Sequence, residues 1–239
     1  MNVMSTAICL GGGEIGRLAT QDLLDDGFRV LVVDPREDCL ARSLCLCSTD
    51  SPDKVLDYGQ DQAIFIKGDG IEVLVDVLQR WTPDRVVPAM PGHLAAHLAM
   101  AWSIRTYRPL HPFGAPLLKV VDALPNGSVQ LLDSVQGVLV ASHMPSGMVC
   151  REGCSQPSIC SVTGKELTSM HQLVDEALAG SVDRRCVMTT FGSRAGAIRG
   201  SDVRMMLDTL GEIKEGMTVG IATSCRCHAI VNIFRFGGP

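Results

Sequence analysis

Aromatic residues are scarce. Phe, Tyr and Trp make up 4% of the 239 residues, which removes the stacking surface that single-stranded nucleic acids need. Excess positive charge is missing as well: the formal net charge is −5 and the sequence pI about 5.6, against nucleic acid as the main partner. No run of about 18 apolar residues occurs, so no membrane partner is expected. The opening MNVMSTAICL has neither a charged n-region nor a long apolar h-region, so no export signal and a cytoplasmic setting are expected. Internal repeats and low-complexity tracts are lacking. VTGK (162–165) is not a phosphate loop, because the upstream glycine is missing and Glu166 stands where a hydroxyl is required.

What is present is a chain 46% hydrophobic and 20% charged, ample for one large domain or two small ones. In the first hundred residues strand and helix signals alternate. STAICL and FRVLVVD are apolar runs of the kind that parallel strands buried on both faces produce. Between them, EIGRLATQDLLDDG carries a helical apolar face and ends on Gly27. AIFIKGD and DRVVPAM repeat the strand pattern, followed by GIEVLVDVLQRW and GHLAAHLAMAWSI as helices. Such alternation predicts a Rossmann-like doubly wound parallel sheet over residues 1–106. Four prolines within 107–125 break the pattern and suggest a boundary or a long connection. Residues 107–239 then read as a second α/β domain, with a helix begun by a Thr163/Glu166 capping box and ended by Gly180.

CLGGGEIGR (9–17) places Gly11, Gly13 and Gly16 in the G-x-G-x-x-G spacing between a predicted strand and a predicted helix. The first glycine permits the turn, the second lets backbone amides reach a pyrophosphate, and the third allows close packing of helix on strand. Gly11, Gly13, Glu14, Ile15 and Gly16 are therefore the candidate dinucleotide loop. Asp34 ends the second strand, where a carboxylate accepts from ribose hydroxyls and repels a 2′-phosphate, favouring NAD over NADP. The alternative is a scaffold whose loop holds no dinucleotide.

The stretch GGGEIGR…VVD…KGDGIEVLVDVLQRWTPDRVVPAMP resembles the nucleotide-binding domain of the saccharopine dehydrogenase group. It is also similar to the domains that regulate potassium transport by sensing nucleotides. The resemblance covers roughly the first 105 residues and implies that Asp69, in KGDG, lies near an adenine. The stretch is similar as well to the N-terminal subdomain of ATP-grasp enzymes of purine synthesis, whose GGGQLGR-type loops do not hold NAD; this chain lacks the length for the domains that follow there.

Ten cysteines in a chain without an export signal point to metal or redox chemistry rather than to disulfides. Cys39, Cys45 and Cys47 read as small buried residues. Cys150, Cys154 and Cys160, spaced C-x3-C-x5-C in an aperiodic segment, read as ligands of zinc or of an iron–sulfur cluster. SCRCH (224–228) offers a fourth ligand, with Cys225 and Cys227 preferred to His228 because they share a side when extended; Cys186 is a further option. The competing reading is redox-active or merely buried thiols.

His93 and His97 stand one helical turn apart, and His93, near the ligand crevice of such a sheet, is a candidate acid/base group. Arg194 and Arg199, in a glycine-rich stretch before a helix, suit a small anionic substrate; the competing reading is a solvated loop. Together these features predict an NAD-linked oxidoreductase with a cysteine-ligated metal centre. A nucleotide-responsive regulatory or scaffold protein with structural metal and no turnover is the alternative, transfer of sulfur or metal to a partner is a third, and homo-oligomerisation is left open.

Overall fold

A computed structural model describes residues 4–145, 147, 148, 150, 154–192 and 196–238. The chain forms two compact units, Met1–Ala101 with Arg194–Arg204, and Trp102–Ser193 with Met205–Pro239.

In the first unit, β1 (Thr6–Leu10), β2 (Arg29–Asp34), β3 (Ala63–Lys67) and β4 (Arg85–Pro88) run parallel in the order β3-β2-β1-β4. Every residue of β1 is buried, as are Val30–Asp34 of β2, which is the pattern of strands covered on both faces. Helix α1 (Glu14–Asp25) buries Gly16, Ala19, Thr20 and Leu23, and α2 (Gly70–Arg80) buries Ile71, Leu74, Val75, Val77 and Leu78. Gly27, at φ +82°, ends α1: its amide donates to Leu24 and that of Phe28 to Leu23, satisfying carbonyls that the helix leaves open. Helix α3 (Leu94–Arg105) follows β4.

The second unit contains β5 (Leu110–Pro112), α4 (Leu117–Ala123), β6 (Val129–Asp133), β7 (Val138–Ser142), α5 (Met170–Ala179) and β8 (Arg184–Phe191). A further strand, β9 (Ala197–Arg199), returns to the first unit and pairs antiparallel with β4, Arg199 opposite Arg85. Helix α6 (Gly200–Glu212), β10 (Thr218–Ser224) and β11 (His228–Phe236) complete the chain. The second unit's sheet has the order β8-β10-β11-β7-β6, with β5 on the far end of β11; β8 and β10 are parallel and the other pairs antiparallel. Alternation along β11 sends Ala229, Val231 and Ile233 to one face, where Leu117 and Val120 of α4 and Met170, Val174 and Leu178 of α5 cover them. Gly220 makes room for that cover, since a Cβ there would lie 2.6 Å from Leu178 Cδ2.

The chain is thus mixed α/β. The proline-rich stretch 107–125, read as a boundary or a long connection, carries β5 and α4, with Pro112 at the end of a short edge pairing, where a missing amide is tolerated. One sequence expectation is corrected. The expected helix after Thr163 starts only at Met170, behind Ser169. Residues before it close a small hairpin instead, with the Cys160 amide donating to Lys165, that of Gly164 to Cys160, and Ile159 bridged to Glu166. Gly164 at φ +67° supplies the left-handed position the turn requires. No helix among the described residues is long and apolar enough to cross a membrane.

Candidate functional site

The glycine loop follows β1 directly. The Gly11 amide donates to Val33 at 2.8 Å, extending the β1–β2 ladder by one residue. Gly11 itself has φ +104°, and a Cβ on it would meet the Ala89 carbonyl oxygen at 2.2 Å. Gly16 is crowded by the loop: its Cβ would lie 1.9 Å from the Gly11 oxygen. Gly13, the residue before α1, differs, because nothing lies within 4 Å of a Cβ placed there and no side chain caps the helix. The two crowded glycines serve packing, and the third fronts open space at a helix N-terminus with a partial positive charge. Glu14 and Ile15, beside it, are both exposed.

Asp34 is 9% exposed and braces this loop. Its Oδ2 accepts from the Gly12 amide at 2.6 Å and its Oδ1 from the Arg36 amide at 2.8 Å. It stands at the end of β2, and the bracing role was not legible in the sequence. Cys39 packs against Gly12, whose added Cβ would fall 2.3 Å from its sulfur. Asp69 caps α2, its Oδ1 accepting from the amides of Ile71 and Glu72. Asp69→Ala should therefore lower stability by about 1 kcal/mol. Chemical denaturation reads that loss, and nucleotide affinity measured on the same variant shows whether Asp69 also touches a ligand.

His93 is buried, at 6% exposure, and His97, one turn further along, is exposed. Of the two candidate anion-binding arginines, Arg194 lies outside the described residues, and Arg199 stands in β9 rather than in a loop. The surrounding arginines are engaged in the fold: Arg185 pairs with Asp175 at 2.7 Å, and Arg204 donates to the Leu78 carbonyl.

The cysteines of the second unit, Cys186 apart, influence one another's ionisation. All ten cysteines of the chain are free thiols. Burial pushes the Cys227 thiol up to about 12, helped by Cys225, Cys150, Cys160 and Cys154 around it. Burial likewise raises Cys150, which hydrogen-bonds Cys154 and feels Cys225 and Cys160. Cys160 behaves oppositely: the Thr163 hydroxyl and the amides of Thr163 and Val162 bond its sulfur and hold its thiol below the usual range. Cys225 occupies a tight turn between β10 and β11, its amide donating to the His228 carbonyl. Its sulfur accepts from the amides of Cys227 at 3.4 Å and His228 at 3.2 Å, and lies 3.4 Å from His228 Nδ1. Cys154 accepts from the Gln156 amide at 3.4 Å. Gln156 ties this segment to the turn, its Oε1 and carbonyl oxygen accepting from the Arg226 amide and Nε.

Cys186 is not part of this group; it lies on β8, bonded to Thr209 of α6. Among the described residues, no three His, Cys, Asp or Glu side chains are close enough to hold an ion as they stand. Gln156 and Thr163 are the participants that sequence reading missed. The available signal was position, two residues after Cys154 and three after Cys160.

Residues 95–237 match the family model AF_1314_C, described as the C-terminal domain of an uncharacterized protein, and residues 6–94 match AF_1314_N, described as the N-terminal domain. The chain belongs to this family. No curated protein and no solved structure matches it significantly. The junction of the two family models, at residues 94 and 95, falls at the start of α3.

Proposed function

We propose that the protein is an NAD-linked oxidoreductase: a Rossmann-like first unit holding the dinucleotide at Gly11–Gly16, and a second unit carrying a cysteine-ligated metal centre. The observation that carries this reading is the tie between two cysteine-bearing segments far apart in sequence: Gln156, two residues after Cys154, accepts from Arg226, which stands between Cys225 and Cys227. A reducing, intracellular setting that keeps all ten thiols free belongs to the same reading.

The donor set fits a soft metal. It is sulfur throughout, which suits zinc or an iron–sulfur cluster and does not suit magnesium or calcium. When bound, zinc would clamp the segment in place, and a cluster would store electrons. In the first unit, the order β3-β2-β1-β4 with a glycine loop after β1 supports the resemblance to the saccharopine dehydrogenase group. The open ground at Gly13 supports a pyrophosphate there, with Asp34 toward the ribose and the buried His93 as acid or base.

The test uses the full chain, purified without oxygen. Metal and acid-labile sulfide are measured, NADH binding is titrated, and reduction of an artificial acceptor is followed. Stoichiometric metal with NADH-dependent acceptor reduction is expected. Tight NADH binding with metal but no turnover assigns the regulatory alternative, and a metal-free chain that ignores NADH sinks both.

A further inference from the structure

We propose that Gln156 is a positioning residue: it fixes the segment that carries Cys154 against the turn that carries Cys225 and Cys227, so that a metal meets the two segments already side by side. This rests on the reading above that the second unit carries a cysteine-ligated metal. The new content is what holds the two cysteine segments together, whichever of their sulfurs ligate.

Gln156 has φ +60°, in the left-handed region. A residue with a side chain enters that region only at a cost, whereas glycine enters it freely. Pro157 follows, and the residue before a proline has fewer conformations open to it. A chain that had only to turn here would carry glycine, as the nearby hairpin does at Gly164, φ +67°. Strained backbone persists where its surroundings over-determine it. Four hydrogen bonds do so at Gln156. Its amide donates to Cys154 Sγ at 3.4 Å and its Nε2 to the Thr190 carbonyl at 3.0 Å. Its Oε1 accepts from the Arg226 amide at 3.1 Å and its carbonyl oxygen from Arg226 Nε at 3.0 Å.

The last two bonds cross. The side chain of Gln156 holds the backbone of Arg226, and the side chain of Arg226 holds the backbone of Gln156. A crossed pair fixes orientation as well as distance, because each side chain closes on the other residue's main chain. What the pair joins is specific. On one side the Gln156 amide sits on the sulfur of Cys154; on the other, Arg226 stands between Cys225 and Cys227. Thr190, near the end of β8, anchors both to the sheet. Little else places this segment: Ser155, Ser158 and Ile159 are exposed, and Cys154, Gln156 and Pro157 are only half-buried. Hydrogen bonds rather than packing therefore decide where Cys154 lies. A residue that orders ligand-bearing segments without touching the metal raises affinity through the order it imposes beforehand.

The experiment compares the full wild-type chain with Gln156→Gly and Arg226→Met, all purified without oxygen. Zinc affinity is measured by competition with a chromophoric chelator, and cobalt(II) spectra report the thiolates around the ion. Circular dichroism melting of the metal-free chains reports folding. Gln156→Gly keeps both backbone bonds and relieves the strain while removing both side-chain bonds. Its metal-free melting temperature should stay within about 5 °C of wild type. Its zinc affinity should nevertheless fall at least about tenfold, and its cobalt spectrum should lose thiolate charge-transfer intensity. Arg226→Met, which cuts the opposite arm of the cross, should show the same pattern and carries the test should the glycine variant not fold. Wild-type affinity and a wild-type cobalt spectrum in folded Gln156→Gly overturn the positioning role while leaving the metal reading intact. Loss of folding in both variants overturns it too, by making the tie purely structural. A wild-type chain that takes up neither zinc nor cobalt removes the metal reading itself.

Discussion

Gly16→Ala will destabilise the first unit by about 3 kcal/mol or more, whereas Gly13→Ala, three residues earlier, will leave stability within about 1 kcal/mol of wild type. The two glycines share a loop and a motif and differ in what surrounds them. A Cβ added at Gly16 would lie 1.9 Å from the Gly11 carbonyl oxygen and 2.8 Å from its carbon. Both are backbone atoms, and Gly11 is itself pinned between Val33 and Ala89. Nothing flexible can yield, so α1 must move away from β1. Alanine's better helix propensity recovers about 1 kcal/mol at most, too little to change the sign. At Gly13 the backbone, φ −65° and ψ −162°, is one that alanine adopts, and the space is open.

The pair separates packing from binding. If a pyrophosphate approaches the α1 N-terminus, the methyl at position 13 enters its space, and NADH affinity should fall at least about tenfold in a chain that remains folded. Denaturant midpoints measure the first effect, and fluorescence titration with NADH the second. Unchanged affinity in folded Gly13→Ala would mean that no ligand approaches there.

Legibility followed the range of the interactions. The apolar runs of β1, β2 and β3, the buried face of α2 and the stop at Gly27 are local patterns with local causes, and reading them required no partner. Strand β9 was not legible, because Ala197–Arg199 pairs with β4, more than a hundred residues earlier. Arg199 therefore looked like part of a loop. The Thr163–Glu166 pair reads as a capping box in isolation, yet hydrogen bonds to Cys160 claim that segment first. The alternation rule used for Cys225 and Cys227 holds for extended chain and fails in a turn. There the relevant relation is which amides point at which sulfur.

Chelation of the metal-loaded chain should expose residues 154–169 to proteolysis and lower the melting temperature of the second unit by about 10 °C or more. The magnitude follows from how little else holds that segment. Of its residues only Cys160 is buried, and Ile159, its one large aliphatic besides Val162 and Leu167, is 59% exposed. What remains is hydrogen bonds: Cys160 with Lys165, Gly164 with Cys160, Leu167 with Ser158, the Gln156–Arg226 ties, Gln156 with the Thr190 carbonyl and His143 with the Thr168 carbonyl. Each contributes about 1 kcal/mol net. A metal present at about a thousand times its dissociation constant adds about 4 kcal/mol, comparable to several of them together. The loss spreads because the segment leads into Met170, whose amide donates to Arg226 and whose side chain opens the α5 face of the core. Limited proteolysis with mass mapping, run with and without chelator, locates the effect. Cleavage confined to 154–169 is expected when metal leaves. An identical pattern and an identical melting curve in both samples would show that the segment stands on its hydrogen bonds alone.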